Sequence, residues 1–118
     1  MLHDSELYGQ GIAEVFADTA RRLGLQVIGG PDGMDPAASD YRLLAQKIRE
    51  AGPHLVYFGG IGADYRAGKL WRDLRSTLGG EVKLMGPDGI NETAFIDAAG
   101  AAAEGTYATF PRVPATRP

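Results

Sequence analysis

The sequence predicts an α/β fold: a Rossmann-like parallel sheet flanked by helices on both faces. Three observations predict it. The run Leu55-Val56-Tyr57-Phe58 is continuously apolar, as suits a strand covered on both sides. It ends in Gly59-Gly60-Ile61-Gly62, just before a strongly amphipathic segment, so the chain turns from strand into helix where glycine permits close approach. Along the whole chain the periodicities alternate between helix and strand, the order that builds a parallel sheet with crossover helices. In such sheets ligands bind beyond the carboxyl ends of the strands, which makes the glycine turn the first place to look for function.

Taken in order, Met1-Leu2-His3 is apolar but short for a strand, and Asp4-Ser5 follows as a polar break. Ile12, Val15, Phe16, Ala20 and Leu23 recur at helical spacing, with Glu14, Asp18, Arg21 and Arg22 opposite and Gly24 as the stop. Leu25 to Ile28 is a short strand candidate, and the stretch from Gly29 to Ala38, rich in Gly, Pro and Asp, reads as a loop. Asp40 is placed to cap a second helix carrying Leu43, Leu44 and Ile48, ended by Ala51-Gly52-Pro53. After the central strand, a third helix from Ala63 to Leu78 buries Ala67, Leu70, Trp71, Leu74 and Leu78. Val82 to Met85 is the next strand, Gly86-Pro87-Asp88-Gly89 a turn, and Asn91 or Thr93 caps a short helix with Phe95 and Ile96. Thr106 to Phe110 reads as the last strand. Residues 1–110 thus form one domain, and 111–118 a proline-rich tail expected to fray. A fold of this kind normally opens with a strand, and only Met1 to His3 stands in that place.

The composition bounds the function. A chain of 118 residues supports one modest core. Hydrophobic residues at 44% and charged ones at 23% are ordinary for a globular protein, and the net charge of -3 argues against nucleic acid as a partner. Without cysteine there is no disulfide framework and no thiolate chemistry. No run reaches transmembrane length, and the N-terminus lacks a signal-peptide pattern, so an export signal would have to lie outside this sequence.

Three positions converge at the carboxyl edge of the expected sheet: Tyr8 at the start of the first helix, Ile61 after the central strand, and Asp88 after the next strand. Each has a plain structural account, with Asp88 as a turn residue bonding its own backbone. Gly60-Ile61-Gly62 imitates the opening of a dinucleotide fingerprint, but Tyr65 stands where the third glycine is needed. His3 and His54 show no nucleophile–base spacing, and Asp32 and Asp35 read as solvated turn residues, so no catalytic residue, metal site or cofactor is expected. Arg66, Lys69, Arg72 and Arg75, interrupted by Asp64 and Asp73, read as a solvated helix face.

Several short motifs occur together in a recognisable order: His3-Asp4, Tyr8-Gly9-Gln10-Gly11, Asp40-Tyr41, Val56-Tyr57-Phe58-Gly59-Gly60, Met85-Gly86-Pro87-Asp88-Gly89 and Ala102-Ala103-Glu104-Gly105. In order and spacing they resemble the second lobe of type I periplasmic solute-binding proteins, the leucine/isoleucine/valine-binding group of ABC-transporter receptors. The resemblance runs from His3 to Phe110 and implies one lobe of a two-lobe binder with its first strand largely missing. It implies that Tyr8, Gly60 and Ile61 line the ligand cleft and that Asp88 receives the α-ammonium group of an amino acid. It also implies a periplasmic parent protein, a second lobe and an ABC-transporter permease as partners. Ile61 stands where the amino-acid binders often have an aromatic residue, and Asp88 is one methylene shorter than the glutamate of some members.

Two further readings are carried forward, a cytoplasmic amide or amino-acid sensor of the same fold and a nucleotide-binding enzyme domain using Gly59 to Gly62. In a sheet ordered 2-1-3-4-5, a missing first strand leaves edges between Leu25–Ile28 and Leu55–Phe58. The expectation is that those two strands pair directly, or that another copy fills the gap by exchange or sheet extension to give a homodimer.

Overall fold

Trp71 sits at the centre of the larger core, fully buried, with Phe58 and Phe95 edge-on to it at centroid distances of 5.8 and 5.0 Å. Its indole N–H donates to Thr106 Oγ1 at 2.8 Å, so the one polar atom of the ring is satisfied inside the core. The computed structural model describes residues 1–28, 30–35, 37–60, 65–90 and 93–109. Over these the chain runs β1 (Leu2–His3), α1 (Leu7–Arg22), β2 (Asp32–Gly33), α2 (Arg42–Ala51), β3 (Leu55–Gly59), α3 (Tyr65–Leu78), β4 (Lys83–Gly86), α4 (Thr93–Ala99) and β5 (Tyr107–Ala108). The strands form one sheet in the order β2-β1-β3-β4-β5, and every pairing is parallel.

One face of this sheet is covered by α2, α3 and α4. Val56, Phe58 and Leu84 point into that layer and meet Ala67, Leu70, Trp71 and Leu74 of α3, the stripe expected from the spacing. Two polar ties hold the layer. Asp73 is buried on α3, accepting the Tyr41 N–H at 2.7 Å and pairing with Lys69 Nζ at 3.3 Å. Arg75 is not merely a solvated helix residue: it donates to the carbonyls of Val82, Ala102 and Glu104, binding α3 to the start of β4 and to the turn before β5.

The other face carries α1, and here the expected orientation changes. The residues α1 lays on the sheet are Gly9, Ala13, Ala17 and Ala20, whereas Val15 and Leu23 are 67% and 74% exposed. The cause is the distance of approach. A Cβ added to Gly59 would lie 2.6 Å from the Gly9 carbonyl oxygen and 3.0 Å from the Ala13 nitrogen, so the helix backbone rests almost on β3 and only small residues fit between them. Ile96 and Leu43 are likewise exposed, and Ala45 is the residue α2 buries fully.

The first strands also depart from the sequence reading. Leu25–Ile28 is not a strand; β2 forms instead at Asp32–Gly33, inside the stretch read as a loop. β1 stands between β2 and β3, with Leu2 opposite both Asp32 and Phe58, so the direct pairing of the flanking strands does not occur and no second copy is needed to fill the gap. The register gives the reason. Leu2 and His3 stand opposite Asp32 and Gly33, and no pairing among the described residues engages Leu25–Ile28. Leu55, at the start of β3, is bonded on its β4 side and is 41% exposed.

Candidate functional site

Because the strands are parallel, the segments leaving β1, β3 and β4 all emerge at one edge. The β1 exit is the most elaborately held. Asp4 N–H donates to the Gly59 carbonyl at 3.1 Å, and the Asp4 carboxylate accepts the Glu6 N–H at 3.0 Å. Ser5 has a positive φ of 67°, a conformation that non-glycine residues avoid. It is fixed there by its N–H on His3 Nδ1 at 3.0 Å and its hydroxyl on the Met34 carbonyl at 2.7 Å. This reversal starts α1 immediately and sets Tyr8 in its first turn, 47% exposed.

Gly60, at the β3 exit, is buried. A Cβ there would stand 2.8 Å from Asp4 Oδ2 and 2.8 Å from the Phe58 ring, so glycine is required for the Asp4 carboxylate to approach. The same observation opposes the nucleotide reading, since a carboxylate already occupies the side of this turn where a phosphate would need backbone donors. Ile61 lies outside the described residues. Asp88 opens a 3₁₀ turn over Asp88–Ile90 and is exposed, while Ile90 is buried against Gly86 and anchors the turn.

A residue not singled out from the sequence stands between these exits. Tyr57 points to the α1 face of β3, 3% exposed, with its ring stacked on Phe16 at 3.7 Å. Burial pushes its phenol up to about 12, and the nearby Tyr8 and Asp88 add to the shift, so both lie within electrostatic reach of Tyr57. The sequence held a signal for it. In a strand whose Val56 and Phe58 share one face, the intervening residue must face the other way, and a hydroxyl-bearing ring there is the one polar group in the run. Beside it runs an open groove of about 590 Å³, lined by Leu7, Tyr8, Ile12, Val15, Phe16 and Tyr57 among others.

Among the described residues no three metal-ligating side chains are grouped, and no helix is long and apolar enough to cross a membrane. What the edge offers is a carboxylate at Asp88, phenols at Tyr8 and Tyr57, and a glycine turn. This set can hold a cation by charge and an apolar group by ring contact.

No family model matches the sequence. Curated relatives do. The leucine-, isoleucine-, valine-, threonine- and alanine-binding protein of Pseudomonas aeruginosa is 35% identical over 112 residues, covering 95% of this chain and 29% of that protein. The Leu/Ile/Val/Thr-binding protein of Salmonella typhimurium is 30% identical over 122 residues, covering 100% of this chain and 32% of that protein. Among solved structures, an extracellular ligand-binding receptor from Rhodopseudomonas palustris superposes with a TM-score of 0.76 at 23% identity, covering 89% of this chain and 28% of that one. A type 1 periplasmic binding protein from Bordetella pertussis superposes with a TM-score of 0.74 at 22% identity, covering 89% and 27%. The chain spans about 30% of the length of these curated relatives. In sequence and fold it resembles one lobe of the leucine/isoleucine/valine-binding group of type I periplasmic solute-binding proteins.

Proposed function

We propose that the chain is the ligand-binding lobe of an ABC-transporter substrate-binding protein for branched-chain or related amino acids, a binder and not an enzyme. The observation that carries this reading is the similarity to relatives named for binding leucine, isoleucine and valine, along a chain whose strand exits present Tyr8 and Asp88 at one edge. Asp88 accepts the ligand's ammonium in a charge-assisted hydrogen bond, and the Tyr8 ring packs on its apolar part. Gly60 lines the cleft, and Ile61, outside the described residues, is the other residue that the resemblance assigns to it. A second lobe closes over the ligand, a permease receives it, and the assembly works in the periplasm.

The test is an NMR titration of the 118-residue chain with leucine and with isocaproate, which has the same apolar part without the amine. One lobe supplies part of the contacts and leaves the ligand wet, so the expected affinity is weak, on the order of millimolar. Leucine is expected to shift resonances around Tyr8 and Asp88, isocaproate to bind more weakly, and Asp88→Ala to weaken leucine by roughly ten- to a hundredfold, the value of a hydrogen bond to a charged group. Equal binding of the two ligands, or leucine binding unchanged by Asp88→Ala, would return Asp88 to a turn role.

A further inference from the structure

Asp4 belongs to a motif, His3-Asp4, that the proposed ligand site does not use. It leaves β1 at the edge where Tyr8 and Asp88 emerge, and its half-buried carboxylate stands between two of the segments that carry that site. One oxygen, Oδ1, accepts the Glu6 N–H at 3.0 Å and fills the space over Gly9, where an added Cβ would run into it. The other, Oδ2, stands 2.8 Å from where a Cβ on Gly60 would lie. The backbone makes the same link, since the Asp4 N–H donates to the Gly59 carbonyl at 3.1 Å. Gly9 directly follows Tyr8 in α1, so one side chain rests on the segment bearing the ring and on the turn at the end of β3. We infer that Asp4 is a positioning residue for ligand binding: without touching the ligand, it couples the first turn of α1 to the β3 exit and so fixes Tyr8 relative to Gly60. This inference rests on the binding function proposed above.

Two observations set this role apart from helix capping. First, α1 begins at Leu7 with Glu6 as its N-cap, and the Glu6 side chain makes no cap bond. The N–H that Asp4 accepts at 3.0 Å is that of Glu6 itself, ahead of the helix, so this bond fixes the approach to α1 and does not close its first turn. Second, that approach is held in a conformation the chain would not choose by itself. Ser5, between Asp4 and Glu6, has a φ of 67°. Such a residue persists only where its surroundings over-determine it. Here the Ser5 hydroxyl and N–H bind Met34 and His3 on the β2 side, and the Asp4 carboxylate holds Glu6 on the α1 side. Tyr8 is therefore set by a turn with little freedom, anchored through Asp4 to β3. Glycine at positions 9 and 60 carries a cost in chain entropy, and at both positions a side chain would displace the same carboxylate.

The test is a double-mutant cycle on the 118-residue chain, read by NMR at Tyr8 without ligand. Gly60→Ala drives a methyl group into the carboxylate and is expected to shift the Tyr8 resonances. In an Asp4→Ala background the same methyl group is expected to leave Tyr8 where Asp4→Ala alone put it. An equal shift in both backgrounds would overturn the inference, because Gly60 would then reach Tyr8 by another route. Should Gly60→Ala not fold, Asp4→Ala alone decides, and a Tyr8 unmoved by it would overturn the inference. The second readout is binding. Asp4→Ala is expected to weaken leucine and isocaproate by the same factor, roughly threefold to tenfold, the value of one misplaced ring contact. The preference for leucine, which Asp88 sets, is expected to stay. Affinities unchanged for both ligands would make Asp4 a folding residue only, and a lost preference would make it a group that meets the ammonium directly; either overturns the inference. If the natural chain binds neither ligand, the binding function fails, and the cycle at Tyr8 still decides whether Asp4 couples the two exits.

Discussion

Tyr57 is the residue at which the strand, the helix above it and the candidate site meet. Its phenol is raised from about 10 to about 12, chiefly by burial, so the folded state holds the proton more tightly than the unfolded state. The sign follows from linkage. Below pH 10 the group is neutral in both states and the stabilisation is complete; between pH 10 and about 12 the unfolded chain loses its proton first, and stability falls as pH rises. Urea unfolding across this window is expected to show a steeper loss for the natural chain than for Tyr57→Phe, and parallel curves would mean the phenol is not held this way. Asp88 differs in kind, because it is exposed and its turn is anchored by Ile90 instead. Its substitution is expected to leave stability almost unchanged and to act on ligand binding alone.

At the scale of an element, α1 shows how two glycines in one helix can have opposite uses. Gly9 faces Asp4 and the Gly59 carbonyl with no room for a methyl group, whereas Gly11 faces open space. Gly9→Ala is therefore expected to push α1 off β3 and to destabilise by about 1–3 kcal/mol, the range for overpacking. Gly11→Ala is expected to stabilise by about 0.5–1 kcal/mol by removing a helix-interior glycine. Chemical denaturation of the two variants checks both signs, and destabilisation by Gly11→Ala would show a contact that the open space does not provide. The motif Tyr8-Gly9-Gln10-Gly11 was legible as a string, but which glycine carries the packing was not. That depends on where β3 passes, a distance set by residues fifty positions away.

For the whole molecule, the continuity of the sheet depends on two residues. β1 is Leu2–His3, yet it joins β2 to β3 and buries Leu2 to 1% exposure within the larger core. Leu2→Ala is expected to cost about 2–5 kcal/mol, the range for a buried leucine truncation. It should also raise amide exchange at Asp32 and Met34, whose N–H groups bond the Met1 and His3 carbonyls. A cost under about 1 kcal/mol would mean that the sheet holds together without β1, contrary to its central place.

The sequence by itself determined the α/β class, the helix–strand order, the face that α3 buries and the edge where Tyr8, Gly60 and Asp88 emerge. These are properties of local periodicity, of glycine placement and of a rule that sends parallel strands to a common exit, and none requires knowing which strands touch. Only the tertiary structure decided the position of β2, the small-residue face of α1 and the place of Tyr57. Register decides the first, because a strand forms where a partner stands opposite and not where the run is most apolar: Asp32–Gly33 has β1 beside it and Leu25–Ile28 does not. Close approach decides the second, because a helix lying on a glycine of β3 buries its alanines and turns its valine outward. The third follows from both, since Tyr57 acquires its neighbours only when α1 and the exit of β4 are brought to the same edge.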